Sequence, residues 1–285
     1  MNRCLIILCV VAVCAALFTA MPAAADSFNF STGNPDGLIG TLSRPASAGL
    51  IQTETADDFF LGQTTMLNQA TFTGLLPAGV PLSDIVDVEI EIYHVFPTDS
   101  ANPPSGNVPT RVNSPSDVEI ASATRDGIAG TLHYTSTVLN PHFTVVNTVV
   151  NGINKKPGQF TGGEGAATGQ EVLISVTFNQ PIVLDSNHYF FRPEVQLSDG
   201  SFLWLSAPKE KLLPGTNVPD LQSWIRNDNL APDWLRIGTD ITHQGPFDAA
   251  FSLSGVTVAE PSALLLLGAG LLALMAFTLK KAYIA

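Results

Sequence analysis

The sequence predicts an all-β protein: an antiparallel β-sandwich or jelly-roll-like domain, flanked by an N-terminal signal peptide and a C-terminal transmembrane helix. Three observations lead there. Two long segments alternate apolar and polar residues with a period of two. Most of the remainder breaks into short apolar runs separated by Gly, Pro, Asn and Asp. Both ends of the chain carry long apolar stretches. Period two belongs to half-buried antiparallel strands, and many short strands with turn residues between them belong to sandwiches and jelly rolls.

The ends come first, because targeting segments are excluded from fold reasoning. Met1-Asn2-Arg3 is a short basic start, followed by an apolar run from Cys4 to Ala20 and then Met21-Pro22-Ala23-Ala24-Ala25. Ala23 and Ala25 fit the small-residue pattern before a signal-peptidase cut, which places cleavage between Ala25 and Asp26 and makes 1–25 a signal peptide. An uncleaved N-terminal anchor is the alternative, and the Ala-rich site argues against it. Val13 stands before Cys14 where a lipidation motif needs a small residue.

All three cysteines (Cys4, Cys9, Cys14) fall in that leader. The expected mature chain therefore has no thiol for a disulfide, a zinc thiolate or a nucleophile. Positions 26–258 are expected to form one β domain with a sizeable core. Residues 26–259 hold 10 basic and 24 acidic side chains, a net charge of −14. Such a field argues against nucleic acid and anionic lipid as partners, and is compatible with solubility outside the cell and with calcium.

The clearest strand is "DIVDVEIEIYHVF" (Asp84–Phe96), with Val86, Val88, Ile90 and Ile92 on an inner face and Asp87, Glu89, Glu91 and Tyr93 on a solvated one. "EVLISVTFN" (Glu171–Asn179) repeats the pattern with Val172, Ile174, Val176 and Phe178 inward. Further strands are expected at Ala56–Leu61, Leu67–Leu75, Val118–Thr124, Thr131–Val138, Phe143–Val150, His188–Leu197, Ser201–Ala207 and Phe247–Val258. The Pro-rich stretch Thr98–Asp117 and the Gly-rich stretch Asn151–Gly169 read as long loops on the same domain. No fixed-length repeat points to a propeller or solenoid.

From Pro261 to Leu279 no residue is charged. Nineteen residues at about 1.5 Å rise give about 28 Å, close to the hydrocarbon thickness of a bilayer. Lys280-Lys281 follows at once, so the positive-inside rule puts residues 282–285 in the cytoplasm and the domain across the membrane. A buried core helix, the alternative, would show a polar stripe.

Glu260-Pro261-Ser262, the Leu- and Gly-rich span and the basic pair Lys280-Lys281 together resemble the PEP-CTERM sorting signal, over residues 256–281. The sequence departs from that pattern at Ala259, where the family's first proline stands, and in having Lys280-Lys281 and "AYIA" for an arginine cluster. The resemblance implies a bacterial exported protein that is held briefly at the inner membrane. It also implies processing by an exosortase-like enzyme and delivery to the cell surface or an exopolysaccharide-rich biofilm matrix. Two passages, "TADDFFLGQTTMLNQATFTGLL" and "WLRIGTDITHQGPFDAAFSLSG", look like the sandwich domains that often precede such signals.

Within the domain, the candidates for chemistry are few. Glu89 and Glu91 lie two apart on one strand face, about 6.6–6.8 Å from each other. That spacing suits the two carboxylates of a glycoside hydrolase. Asp87-x-Glu89-x-Glu91 differs from the Glu-x-Asp-x-Glu strand of laminarinase-like jelly rolls by exchange of its first two residue types. A solvated strand face that discourages edge pairing is the alternative. Asp57, Asp58 and, in "RNDNLAPD", Asp228 offer oxygens suited to calcium, against simple turn capping. Trp224 and Trp234, in polar surroundings, are candidates for a sugar-stacking platform, whereas Trp204 sits in an apolar run and belongs to the core. The histidines (His94, His133, His142, His188, His243) show no zinc spacing, and no nucleophile elbow or phosphate loop occurs. The expectation is a non-enzymatic surface or matrix protein associated with extracellular polysaccharide and needing no cofactor. The alternatives are a polysaccharide hydrolase or lyase and a structural envelope protein without glycan binding.

Overall fold

A computed structural model describes residues 25–47, 49–151, 153 and 160–258, together with position 270. Two units emerge, residues 27–256 and the two ends (1–26 with 257–285). The signal peptide, save Ala25, and the sorting tail with Glu260, Pro261, Lys280 and Lys281 lie outside the described residues. Among the described residues, no helix is long and apolar enough to cross a membrane.

Residues 27–256 are nearly all β. In chain order the strands are β1 (Ser27–Ser31), β2 (Ile39–Leu42), β3 (Thr53–Leu61), β4 (Thr65–Pro77), β5 (Ile85–Val95), β6 (Pro115–Glu119), β7 (Arg125–Asp126) and β8 (Leu132–Val145). Then follow β9 (Asn147–Val149), β10 (Ala167–Leu184), β11 (Asn187–Leu197), β12 (Leu203–Ala207), β13 (Trp224–Asn227), β14 (Leu235–Arg236), β15 (Asp248–Ala249) and β16 (Phe251–Thr257). They form two sheets. In the first, β4 pairs with β10, β12 and β16. β10 carries β8, β16 carries β1, and β12 carries β2 and β15, with β9 parallel to β2. The second runs β14-β13-β3-β11-β5-β6, with β7 also on β5.

One apolar cluster draws side chains from both sheets. Phe72 and Trp204 of the first sheet meet Phe191 of the second at centroid distances of 6.3 and 6.0 Å, and Phe251 stacks on Phe191 at 5.0 Å. The alternation expected in β10 is present, with Val172, Ile174, Val176 and Phe178 in this core. Val88, Ile90 and Ile92 of β5 join them. Gly74 is dictated by packing: a Cβ there would lie 2.0 Å from the Phe202 ring.

Two expectations for β5 fail. The register against β11 shifts between Gln196 and Leu197, so Ile85 enters the core and Val86 is left 44 % exposed. The opposite face is also not solvated: Asp87, Glu91 and Tyr93 are buried. At Asp87 the 126–128 turn covers it, the Ile128 N–H donating to the Asp87 carboxylate at 3.2 Å, and further along the strand a second cover closes over Tyr93.

Its cover begins with Trp234, which sits edge-on to Tyr93 and donates its indole N–H to the Ser116 carbonyl at 3.3 Å. Arg111 ties the cover down through ion pairs to Asp117 at 2.6 Å and Asp233 at 3.2 Å, with its guanidinium over the Phe96 ring. Elsewhere, the expected strand Val118–Thr124 is mostly a short 3-10 turn, Ala121–Ala123. The strand expected at Thr131–Val138 runs on through Asn140 and Pro141 as β8, and the one expected at Phe143–Val150 is divided between the end of β8 and β9.

Candidate functional site

Alternate residues of β3, β5, β11 and β13 project onto the covered face of the second sheet. There they assemble a charge cluster of Glu54, Glu89, Glu91, Arg192, Glu194 and Arg226 around Tyr93. Antiparallel register makes the central contacts: Arg192 lies opposite Glu91, and Glu194 opposite Glu89. Arg192, 1 % exposed, pairs with Glu91, with Glu194 at 2.6 Å and with Glu54 at 3.4 Å. Arg226 pairs with Glu54, stacks over Trp234 at 4.3 Å and donates to the Asp117 carbonyl at 3.0 Å. Tyr93 donates within the cluster, with Glu54 at 2.9 Å and Glu91 at 2.8 Å from its hydroxyl. Gln52 donates to both oxygens of Glu194 at 3.1 Å.

Four carboxyls against two guanidiniums leave negative charge over, and burial raises its cost. Glu194 is pushed up to about 8 by burial, with Arg192 pulling the other way. Glu89, only half-buried, is pushed up to about 7 by burial and by Glu91, again against Arg192. Glu54 moves down, because its two arginines and Tyr93 outweigh burial. Glu89 is thus part-protonated near neutral pH, beside Glu91, which is gripped by Arg192 and Tyr93. Of this cluster only Glu89 and Glu91 were legible as candidates. The missed signal was an Arg and a Glu two apart in the otherwise apolar "HYFFRPEVQL", since charges in a buried strand need partners.

The tryptophan platform is overturned. Trp224 and Trp234 are 1 % and 0 % exposed and pack with Ala56, Tyr93 and Phe190 under the cover, so neither offers a face to a sugar. Their polar neighbours in sequence belong to the cover itself. Trp204 is core, as expected.

Asp57, Asp58 and Asp228 do not converge. Asp58 accepts from the Leu221 N–H at 3.1 Å and pairs with His188 at 2.6 Å. Asp228 accepts from the Gln52 N–H at 3.2 Å. Asp57, one residue from Asp58 on a strand, points to the other side and accepts from the Ala249 N–H of the first sheet at 2.7 Å. Asp57 has other acidic neighbours, Asp248 of β15 and Asp220 of the segment between β12 and β13.

Burial and Asp248 drive the Asp57 carboxyl far up. Asp248 is pushed up to about 9 by burial and Asp220, with Lys209 opposing. Lys209 lies 2.9 Å from Asp220 and 3.9 Å from Asp248. The Oδ1 atoms of Asp57 and Asp248 are buried without a hydrogen-bond partner. Among the described residues, no three His, Cys, Asp or Glu side chains surround a point ready to hold a metal ion.

Neither a scan against protein-family models nor a search of curated proteins returns a match to this chain.

Proposed function

We propose that the chain is an exported, non-enzymatic surface or matrix protein, a jelly-roll-like β-sandwich that associates with extracellular polysaccharide. In this reading the signal peptide 1–25 directs export. The PEP-CTERM-like tail 259–281 then anchors the protein in the inner membrane through the helix 261–279, until an exosortase-like enzyme acts near Glu260-Pro261. Lys280, Lys281 and residues 282–285 face the cytoplasm until then. The supporting observation is how the domain closes. β1 and β16, its first and last strands, pair antiparallel with Ser27 opposite Val256. The first and last strands of the domain therefore lie side by side, and the core residues named above all fall within 27–256. The internal pairing of Glu54, Glu91 and Glu194 further supports a structural role for the charge cluster.

The test is the mass of the protein recovered outside the cell, with and without residues 259–285. A mature product ending near Glu260, and misplacement of the truncated chain, are expected. An intact carboxyl terminus that stays in the inner membrane overturns the sorting reading. Pull-down on insoluble polysaccharides tests the second half: no retention on any member of a panel would leave a structural envelope protein.

One observation favours a second reading, a polysaccharide hydrolase or lyase. Glu89, with its pKa near 7, could serve as general acid beside Glu91. Reducing ends released from the panel by the wild type, and lost in Glu89→Gln, would establish it.

A further inference from the structure

The first sheet ends on a long strand with one open side. Among the described residues, β8 (Leu132–Val145) pairs with β10 and with no other strand. Every second residue of such a strand directs its N–H and C=O outward, so β8 presents a row of unpaired backbone groups. The strands that end the two sheet paths elsewhere, β1, β6, β9 and β14, have only two to five residues, which limits what they can template. β8 has 14. Its far half is protected: the register against β10 shifts beyond Val138, and Pro141 has no N–H to donate. Its near half, Leu132–Val138, runs in unbroken register against Val172–Phe178. No side chain there carries a fixed charge, and from Gly127 to Asn154 the sequence has no Asp, Glu, Lys or Arg. The core is also unsealed at this margin. Val172, Ile174 and Val176 of β10 are buried, whereas their cross-strand partners Val138, Ser136 and Tyr134 are only half-buried.

We propose that Leu132–Val138 is a dimerisation edge, pairing antiparallel with the same segment of a second copy about a two-fold axis at Thr135. Thr135 then lies opposite its own counterpart, Thr137 opposite the partner's His133, Tyr134 opposite the partner's Ser136, and Leu132 opposite the partner's Val138. The exposed face sets hydroxyls against hydroxyls and imidazoles, while Leu132, Tyr134 and Val138 of both copies extend the core across the seam. Charge selects the occupant. Residues 26–259 carry −14, so two copies repel each other over most of their surfaces, but along this segment they meet without opposed fixed charges. The self-matching pattern favours a second copy over a strand from another protein. An isologous contact of this kind closes at two copies and consumes the open edge. The inference goes beyond the sorting reading and holds whether or not the tail is cut.

Sedimentation equilibrium of the full-length chain in mild detergent, over a range of protein concentrations, is the experiment. A reversible monomer–dimer equilibrium is expected. Thr135→Glu places two carboxylates opposite each other at the axis and should weaken the dimer at least about tenfold. Thr135→Val keeps a β-branched side chain without charge and should leave the dimer within about fivefold of wild type, which guards against a misfolded Thr135→Glu. Thr144→Glu, at an exposed position of the far half, adds the same charge outside the seam and should stay within the same range. A wild type that remains monomeric at every concentration overturns the proposal. So does association that Thr135→Glu leaves unaltered, since it would then run through another surface such as residues 261–279. Equal weakening by Thr144→Glu overturns it as well, because the charge would then act without regard to the seam.

Discussion

On the covered face of the second sheet, four carboxyls share two guanidiniums, and a tyrosine and a glutamine supply further donors. Between the sheets, Asp220 and Asp248 share the Lys209 ammonium, and the neighbouring Asp57 accepts from the Ala249 N–H. Both clusters are acidic and both are buried, but they are neutralised by different chemistry. Arginine is a planar fork that can bridge several carboxylates at once, and it stays charged in an apolar setting. Lysine is a point charge on a flexible stem, and Lys209 remains partly in solvent. The first cluster is neutralised mainly by its arginines and the second mainly by protons, burial pushing Asp248 up to about 9 and Asp57 far up. Buried acidity alone therefore does not mark a binding site.

The largest expected effect comes from breaking the first cluster. Arg192→Met removes the guanidinium from Glu54, Glu91 and Glu194 together. Leaving buried carboxylates unpaired costs about 3–5 kcal/mol, readable as a lower denaturant midpoint. Arg192→Lys should recover only part of that, because an ammonium cannot bridge all three. If Arg192→Met is as stable as the wild type, the cluster is not the tightly paired structure described here.

The second cluster should respond far less. Asp248, pushed up to about 9 by burial and Asp220, holds its proton at neutral pH, so Asp248→Asn replaces one neutral group by another of similar shape and should leave the denaturant midpoint within about 1 kcal/mol of wild type.

A smaller effect is expected from pH. Glu194 and Glu89 titrate near 8 and 7 when folded and near 4.3 when unfolded. The folded chain thus holds more protons between about pH 4 and 8, and their contribution to stability is lost as pH rises through that window. Glu54 works the other way, its lowered value contributing stability that disappears only in acid. The melting temperature should therefore decline from pH 5 to pH 9, and Glu194→Gln should flatten the decline. The smallest effect is that of Lys209→Gln, less than about 1 kcal/mol for a partly exposed pair.

How much of this could be read from the sequence depended on whether the determining contact was local. β5 and β10 announced themselves, because alternation records a strand and its buried face without reference to a partner. The short strands β1, β2, β13 and β14 did not, since strands of two to five residues carry too few alternations to stand out. The charged face of β5 was misread as solvated for a different reason. Its cover comes from Trp234 and the 126–128 turn, and its neutralising arginines from β11 and β13, all remote in the chain. Trp224 and Trp234 were misjudged by the same mechanism: polar neighbours in sequence said nothing of the apolar pocket supplied by Ala56, Tyr93 and Phe190. Asp57 was found and its partners were not, because Asp220 and Asp248 meet it only after two sheets have formed. Asp58 and Asp228, chosen for local composition, are each held by ordinary hydrogen bonds.

The side-by-side exit of β1 and β16 has a practical corollary. A protein whose first and last strands are hydrogen-bonded neighbours can be spliced into a surface loop of an unrelated host with two brief connectors, without stretching either partner. The same proximity invites joining residue 27 to residue 256 and opening new ends elsewhere, turning the domain into a permutable cassette.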